Sequence, residues 1–232
     1  MAFLIKRDYL ILINEEDLNI VSYSSDEGTS AESIIEETEA NVLFEISSYL
    51  SGRYDISKIF FPVLEYLTGE TFKAGDFIYL NAPKYNVLIA YLVGALTVKL
   101  DGLVYRCTTA GTGTQASFLV IGKAGNYYTA KVDTNASDLF SDLTKFETGE
   151  KRNALIKRYV IDIVLYELHS RINPRNTPEF RIQRRDDAIK WLVSVQNPRN
   201  NIDADFLPKR VFEVQNGNDV SWNSKKKLSH DY

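Results

Sequence analysis

NALIKRYVIDIVLYELHSRINPRNTPEFRIQRRDDAIKWLVS, residues 153–194, is the stretch on which the fold turns. Leu155, Ile156, Tyr159, Val160, Ile163, Val164 and Leu168 recur at three-and-four spacing, which places them on one broad helical face that must be buried. The break is Asn173-Pro174-Arg175-Asn176-Thr177-Pro178: Pro174 stops the first helix, Thr177 is placed to cap the next, and Pro178 suits its first turn. A second helix then turns Ile182, Ala188, Ile189, Leu192 and Val195 inward until Asn197-Pro198 ends it. The reading is a helical hairpin around which the rest of the chain is arranged.

Working outward toward the N-terminus, residues 3–13 are dense in Phe, Leu, Ile and Tyr, and periodicity leaves open a short strand with a helical turn or two short helices. A polar loop, Ser24-Ser25-Asp26-Glu27-Gly28-Thr29-Ser30, precedes a third long helix with Glu32, Glu36 and Glu37 near its positive end. Ile34, Ile35, Val42, Ile46, Tyr49 and Leu50 form its apolar stripe, and Gly52 stands where a C-terminal glycine cap is expected. From about residue 71 the chain turns rich in Gly, Thr, Val and Tyr. Thr97-Val98-Lys99-Leu100, Asp101-Gly102 and Leu103-Val104-Tyr105-Arg106-Cys107 spell a two-residue hairpin, with further strands expected at 118–121 and 127–132. Beyond Pro198 the pattern dissolves into an arm whose Phe206, Leu207, Val211, Phe212, Val214 and Trp222 point to docking rather than solvation. The expected class is therefore α+β: a helical domain (1–70 and 141–198), an inserted β module (71–140) and an extended C-terminal arm (199–232).

The 232 residues are 44% hydrophobic, enough for a well-filled core. One Cys and two His leave no disulfide within the chain and no metal cluster of ordinary spacing. Charge sits in the N-terminal residues where a signal peptide needs its apolar core, so secretion by that route is not expected. The longest uncharged apolar run, 85–98, is shorter than the roughly 20 residues that span a bilayer, so no membrane association is expected. The net charge of −4 hides a gradient: residues 1–70 carry −10, residues 71–150 are neutral, and residues 151–232 carry +6. Ordinary solvated faces account for this in most monomers; head-to-tail association of copies is the sharper reading.

Chemistry is scarce. Gly111-Thr112-Gly113-Thr114 lacks the lysine and spacing of a phosphate-binding loop, and Cys107 has no histidine near it in sequence. His169 near a helix C-terminus reads as structural, and Asp76, Asp101, Asp133, Asp138 and Asp142 match no calcium loop and read as turn residues. No catalytic, cofactor-binding or metal-binding residues are assigned, and no enzyme is expected. Arg171, Arg175, Arg181, Arg184 and Arg185 concentrate around the hairpin turn, the last three spaced to share one exposed side. Phosphate binding is conceivable for them, but Asp186 and Asp187 follow at once, and pairing with an acidic neighbouring copy requires less. The assembly residues expected on this basis are Arg175, Arg181, Arg184, Arg185, Phe206, Leu207, Phe212 and Trp222.

Three stretches, taken in order, resemble the head-to-tail connector proteins of tailed phages, the neck or adaptor proteins of Mu-like phages: Ile46-Ser47-Ser48-Tyr49-Leu50-Ser51-Gly52-Arg53-Tyr54-Asp55, the hairpin helix with Tyr166-Glu167-Leu168-His169-Ser170-Arg171, and Asp186-Asp187-Ala188-Ile189-Lys190-Trp191-Leu192. The likeness covers roughly the first 65 and last 90 residues; it extends to a ring protein of a crAss-like phage. It implies a structural virion protein made in the bacterial host cytoplasm, forming a homo-oligomeric ring of twelve copies in the neck, beneath the portal protein. The ring would touch other neck or tail proteins, carry the DNA channel, and contact DNA only non-specifically. The β module departs from the compact members. A second reading makes that module a glycan- or ligand-binding device, with Tyr79, Tyr85, Tyr105, Tyr127 and Tyr128 as stacking platforms.

Overall fold

A computed structural model describes residues 2–24, 28–66, 70–81, 97–100, 102–107, 118–197 and 204–210. The fold is mixed α+β, with six helices and two small sheets among the described residues. The segment dense in aromatics near the N-terminus forms two short helices, α1 (Lys6–Tyr9) and α2 (Glu15–Val21), the second capped by Asn14 through the Asp17 amide. The long helix α3 (Ala31–Leu50) starts on Ser30, whose side chain accepts from the Ser33 amide. Gly52 is not its left-handed cap: Ser51 ends the helix in a right-handed conformation, and the Arg53 and Tyr54 amides fold back onto the Leu50 carbonyl. A short turn, α4 (Ile56–Ile59), leads into the strands.

Helix α5 (Ala154–Ile172) and helix α6 (Glu179–Gln196) are the hairpin, as its sequence pattern requires. Asn153 caps α5 by accepting from both the Leu155 and Ile156 amides. Thr177 does not cap α6. Pro178 occupies the cap position with extended backbone and no side-chain bond, and the Thr177 hydroxyl instead reaches back to the Asn173 carbonyl. The middle of α5 is buried all round, from Val160 to Leu165, because α2, α3 and α6 surround it. Their shared core includes Val42, Ile46, Leu50, Ile163, Leu168, Ala188 and Leu192.

The larger sheet contains β1 (Val63–Glu65), β2 (Phe77–Tyr79), β6 (Tyr127–Ala130) and β7 (Phe146–Thr148) in the order β1-β2-β6-β7, with β1 parallel to β2 and the other pairs antiparallel. Pairing thus reaches beyond 71–140 on both sides. The smaller sheet is the antiparallel meander β3 (Thr97–Leu100), β4 (Leu103–Cys107) and β5 (Phe118–Lys123). Leu100 pairs with Leu103 across the expected turn, where Gly102 takes φ +77°, open to glycine without strain. The sheets share a core of Ile78, Leu80, Val104, Ile121, Tyr128, Phe140 and Phe146. Gly122 allows that contact: a Cβ there would stand 2.7 Å from a Leu80 methyl. A third cluster, Ile5, Val63, Phe77 and Tyr79, seals the seam between helices and sheet. No described helix is long and apolar enough to cross a membrane.

Candidate functional site

The arginines of the hairpin separate into different environments. Arg175 is exposed at the turn. Arg181, expected to face outward, is only 3% exposed: its Nη2 donates to the Leu12 carbonyl at 3.2 Å, and its Nε and Nη1 have no hydrogen-bond partner among the described residues. Burial, with Arg184 close by, lowers the pKa of this guanidinium. The helical spacing that groups Arg181 with Arg184 and Arg185 is real, but α1 and α2 leave the loop containing Leu12 over that part of α6. Arg184 stays at the rim, with Nη1 3.6 Å from the buried carboxylate of Asp162, which Arg158 approaches from the other side at 3.6 Å. Burial raises the pKa of Asp162 despite these cations. Arg185 lies over the Tyr166 ring at 5.1 Å and pairs at 3.5 Å with Asp186.

A surface ribbon follows. Phe180, Arg184, Asp187 and Trp191 succeed one another along α6 at four-, three- and four-residue steps, so they line one edge of the helix. Phe180 is half exposed and supports the guanidiniums of Arg181 and Arg184, at 4.8 and 5.6 Å from its ring. At the other end Trp191 contacts Tyr159 and stacks with Phe206, a residue 51% exposed. Leu207, one residue on, is buried in the chain's own helical core, and Phe212 and Trp222 lie outside the described residues. The start of the arm docks in cis: the Asp55 amide donates to the Pro208 carbonyl at 2.8 Å, the Arg210 amide to the Arg53 carbonyl at 2.9 Å, and the Ala204 amide to the Tyr54 hydroxyl at 3.3 Å.

A second polar centre sits at the seam. The Arg152 side chain is wholly buried and spends all five N–H groups: Nε on Glu150, Nη1 on the Phe3 carbonyl and Asp8, Nη2 on Asp8 and Glu150, at 2.7–3.3 Å. Its plane lies 4.9 Å from the Tyr127 ring. Lys157 adds contacts of 3.2 Å to both acids. Burial pulls the Arg152 pKa down, but the two carboxylates outweigh it and hold it above its usual value. Nearby, the buried Glu39 accepts from the Phe3 and Leu4 amides at 2.6 and 3.1 Å and from the Tyr9 hydroxyl at 2.9 Å. Burial raises its pKa against those three donors. The N-terminal segment is thereby clamped between α3, α5 and the sheet.

None of Asp8, Glu39, Arg152 or Asp162 stood out in the sequence as functional. Two carried a signal. Asp162 interrupts Val160-Ile161-Ile163-Val164, and Glu39 lies on the stripe Ile35-Val42-Ile46 at helical spacing. Tyr79 and Tyr128, expected as sugar platforms, are buried, Tyr127 stacks on Phe77, Tyr105 is half-buried, and Tyr85 lies outside the described residues. Cys107 pairs in β4, but its side chain and residues 111–114 are likewise outside. His169 sets its Nδ1 2.7 Å from the Leu165 carbonyl, a bond within its own helix. Asp76, Asp138 and Asp142 accept from the Lys73, Asn135 and Thr144 amides in tight turns, and Asp133 accepts from the Ala74 amide; Asp101 is outside. Among the described residues no three His, Cys, Asp or Glu are grouped to hold a metal ion.

Fold and site together define an α+β protein with a fully paired ionic centre at its seam and an arginine–aromatic ribbon on its surface. No family model, no curated protein and no solved structure matches the chain.

Proposed function

We propose that the chain is a non-catalytic subunit of a phage neck ring, joined copy to copy head-to-tail and seated beneath the portal. The observation that carries this reading is the ribbon from Phe180 through Arg184 and Trp191 to Phe206. It combines the residue types that dominate interface energetics, arginine and large aromatics, with partial exposure in the isolated chain. The same molecule presents exposed carboxylates at Glu32, Glu36 and Glu37 on α3, so one copy offers the ribbon and the next the acids. Arg181 and Leu207 serve the chain's own core and are left out of this contact. Arg175, Arg184, Arg185 and Phe206 remain in it.

Multi-angle light scattering of the purified chain mixed with the portal of the same virion tests the reading. The expected result is a ring complex of about a dozen copies; a chain that stays monomeric and unbound with the portal present overturns it.

A further inference from the structure

Two clefts run together along one side of α3. The larger, about 390 Å³, has Leu4, Leu18 and Ile35 in its lining, the exposed Glu32, Glu36 and Glu65 and the buried Glu39 as its acids, and the second continues past Glu36 and Glu37 to Leu43. Lys6, the basic residue of the first lining, is already engaged by Glu15 at 2.7 Å. What remains is an apolar trough edged by carboxylates, suited to a segment that carries both cations and large apolar side chains.

We propose that this cleft holds the chain's own residues 222–228, Trp222-Asn223-Ser224-Lys225-Lys226-Lys227-Leu228, with the three ammonium groups at the acidic edge and Trp222 and Leu228 toward the apolar lining. Charge complementarity is one argument: three consecutive lysines meet Glu32, Glu36 and Glu65, all exposed. Reach is the other. Arg210 is fixed at the far end of α3, its backbone amide on the Arg53 carbonyl and its side chain 3.4 Å from the Ser51 carbonyl. From there to Glu36 is about 22 Å along the helix at 1.5 Å per residue. The fifteen residues from Arg210 to Lys225 span up to about 50 Å when extended. A tether of that length holds its end at an effective concentration in the millimolar range, so the segment of the same chain outcompetes that of another copy in dilute solution. The segment then covers the carboxylates that the proposed ring contact uses, and a neighbouring copy must displace it. The proposal itself does not need the ring.

Zero-length carbodiimide coupling, which joins an amine to a carboxylate in contact with it, is the test. Unlabelled and ¹⁵N-labelled full-length chains are mixed in equal amounts at about 1 μM, far below that effective concentration, and cross-linked peptides are read by mass spectrometry. The expected products join Lys225, Lys226 or Lys227 to Glu32, Glu36 or Glu65, with both peptides carrying the same isotope. Reversing the three lysines to glutamate removes their amines, so these products are lost. Adding Glu32→Lys, Glu36→Lys and Glu65→Lys restores coupling between the same positions, and circular dichroism confirms unchanged helix content in every variant. Mixed-isotope pairs would make the occupant a second copy, and an absence of these links would leave the cleft unoccupied by the segment; either result overturns the proposal. Failure of portal binding leaves this readout untouched.

Discussion

The two arginine–carboxylate clusters are built from the same residue types and finish in opposite states. At the seam, Arg152 meets Asp8 and Glu150 with every N–H matched, at 2.7–3.3 Å, under a cover of aromatic rings. On the hairpin, Asp162 draws Arg158 and Arg184 only to 3.6 Å, and Arg181 is buried with two nitrogens unmatched among the described residues. A closed, fully matched cluster is complete within one chain and fixes its geometry. The open one keeps its unmatched nitrogens buried on Arg181 and leaves Arg184, more than a third exposed, as the cation at its rim. The contrast separates a cluster closed within the chain from one that the proposed ring contact would draw on, and it can be broken from either side.

The largest effect belongs to the seam. Arg152→Met keeps the aliphatic volume but strands the Asp8 carboxylate in the core, and such half-broken buried pairs cost about 3–5 kcal/mol. Lys157, 3.2 Å from Asp8, softens the loss toward the lower figure. Urea unfolding followed by circular dichroism measures it. A loss below about 1 kcal/mol, the level of an exposed pair, would mean that the seam is no more structural than the hairpin.

Glu39 gives the next effect, and pH gives its sign. Glu39→Gln retains an acceptor for the Phe3 and Leu4 amides but loses the charged partner of the Tyr9 hydroxyl, a change of about 1–2 kcal/mol. Because burial raises the folded-state pKa of Glu39 above its ordinary 4.5, folding favours its protonated form. Its contribution is then fully present below 4.5 and declines as pH rises through the folded value. Denaturation of the two proteins across that window checks this: the advantage of the natural chain over Glu39→Gln is expected to be widest at the acid end. An advantage that grows with pH would show the amide and hydroxyl donors outweighing desolvation.

The hairpin and the Asp-Gly turn were legible in the sequence because each rests on local rules: apolar spacing, proline breaks, and a glycine that turns two strands back. The seam was not. Arg152 sits in Glu150-Lys151-Arg152, which has the composition of a solvated loop, and Asp8 lies 144 residues away from it. Only the fold brings β6, α1 and the start of α5 around them. Arg181 was misplaced for a related reason: helical periodicity describes an isolated cylinder, and the turn through Leu12 that covers this side belongs to a distant part of the chain. Leu207 fell to the same limit, since its place in the helical core cluster is set by tertiary packing.

The smallest effect on stability falls where the largest effect on assembly is expected. Arg184 is more than a third exposed and meets Asp162 at a distance longer than a hydrogen bond, so Arg184→Ser removes little that the fold uses, about 0.5 kcal/mol or less. Asp162 keeps Arg158 at the same 3.6 Å separation, so the carboxylate is not abandoned. Phe180 loses one of its two cationic neighbours and retains Arg181 at 4.8 Å. If the ribbon is the surface that meets a neighbour, the same substitution cuts a charge from the middle of an interface, where truncation costs more than 1 kcal/mol per contact and repeats at every subunit junction. Light scattering of Arg184→Ser with the portal should then show the ring complex lost at concentrations where the natural chain forms it, while its urea midpoint scarcely moves. A variant that assembles normally, or that unfolds as readily as Arg152→Met, would erase the distinction between the two clusters.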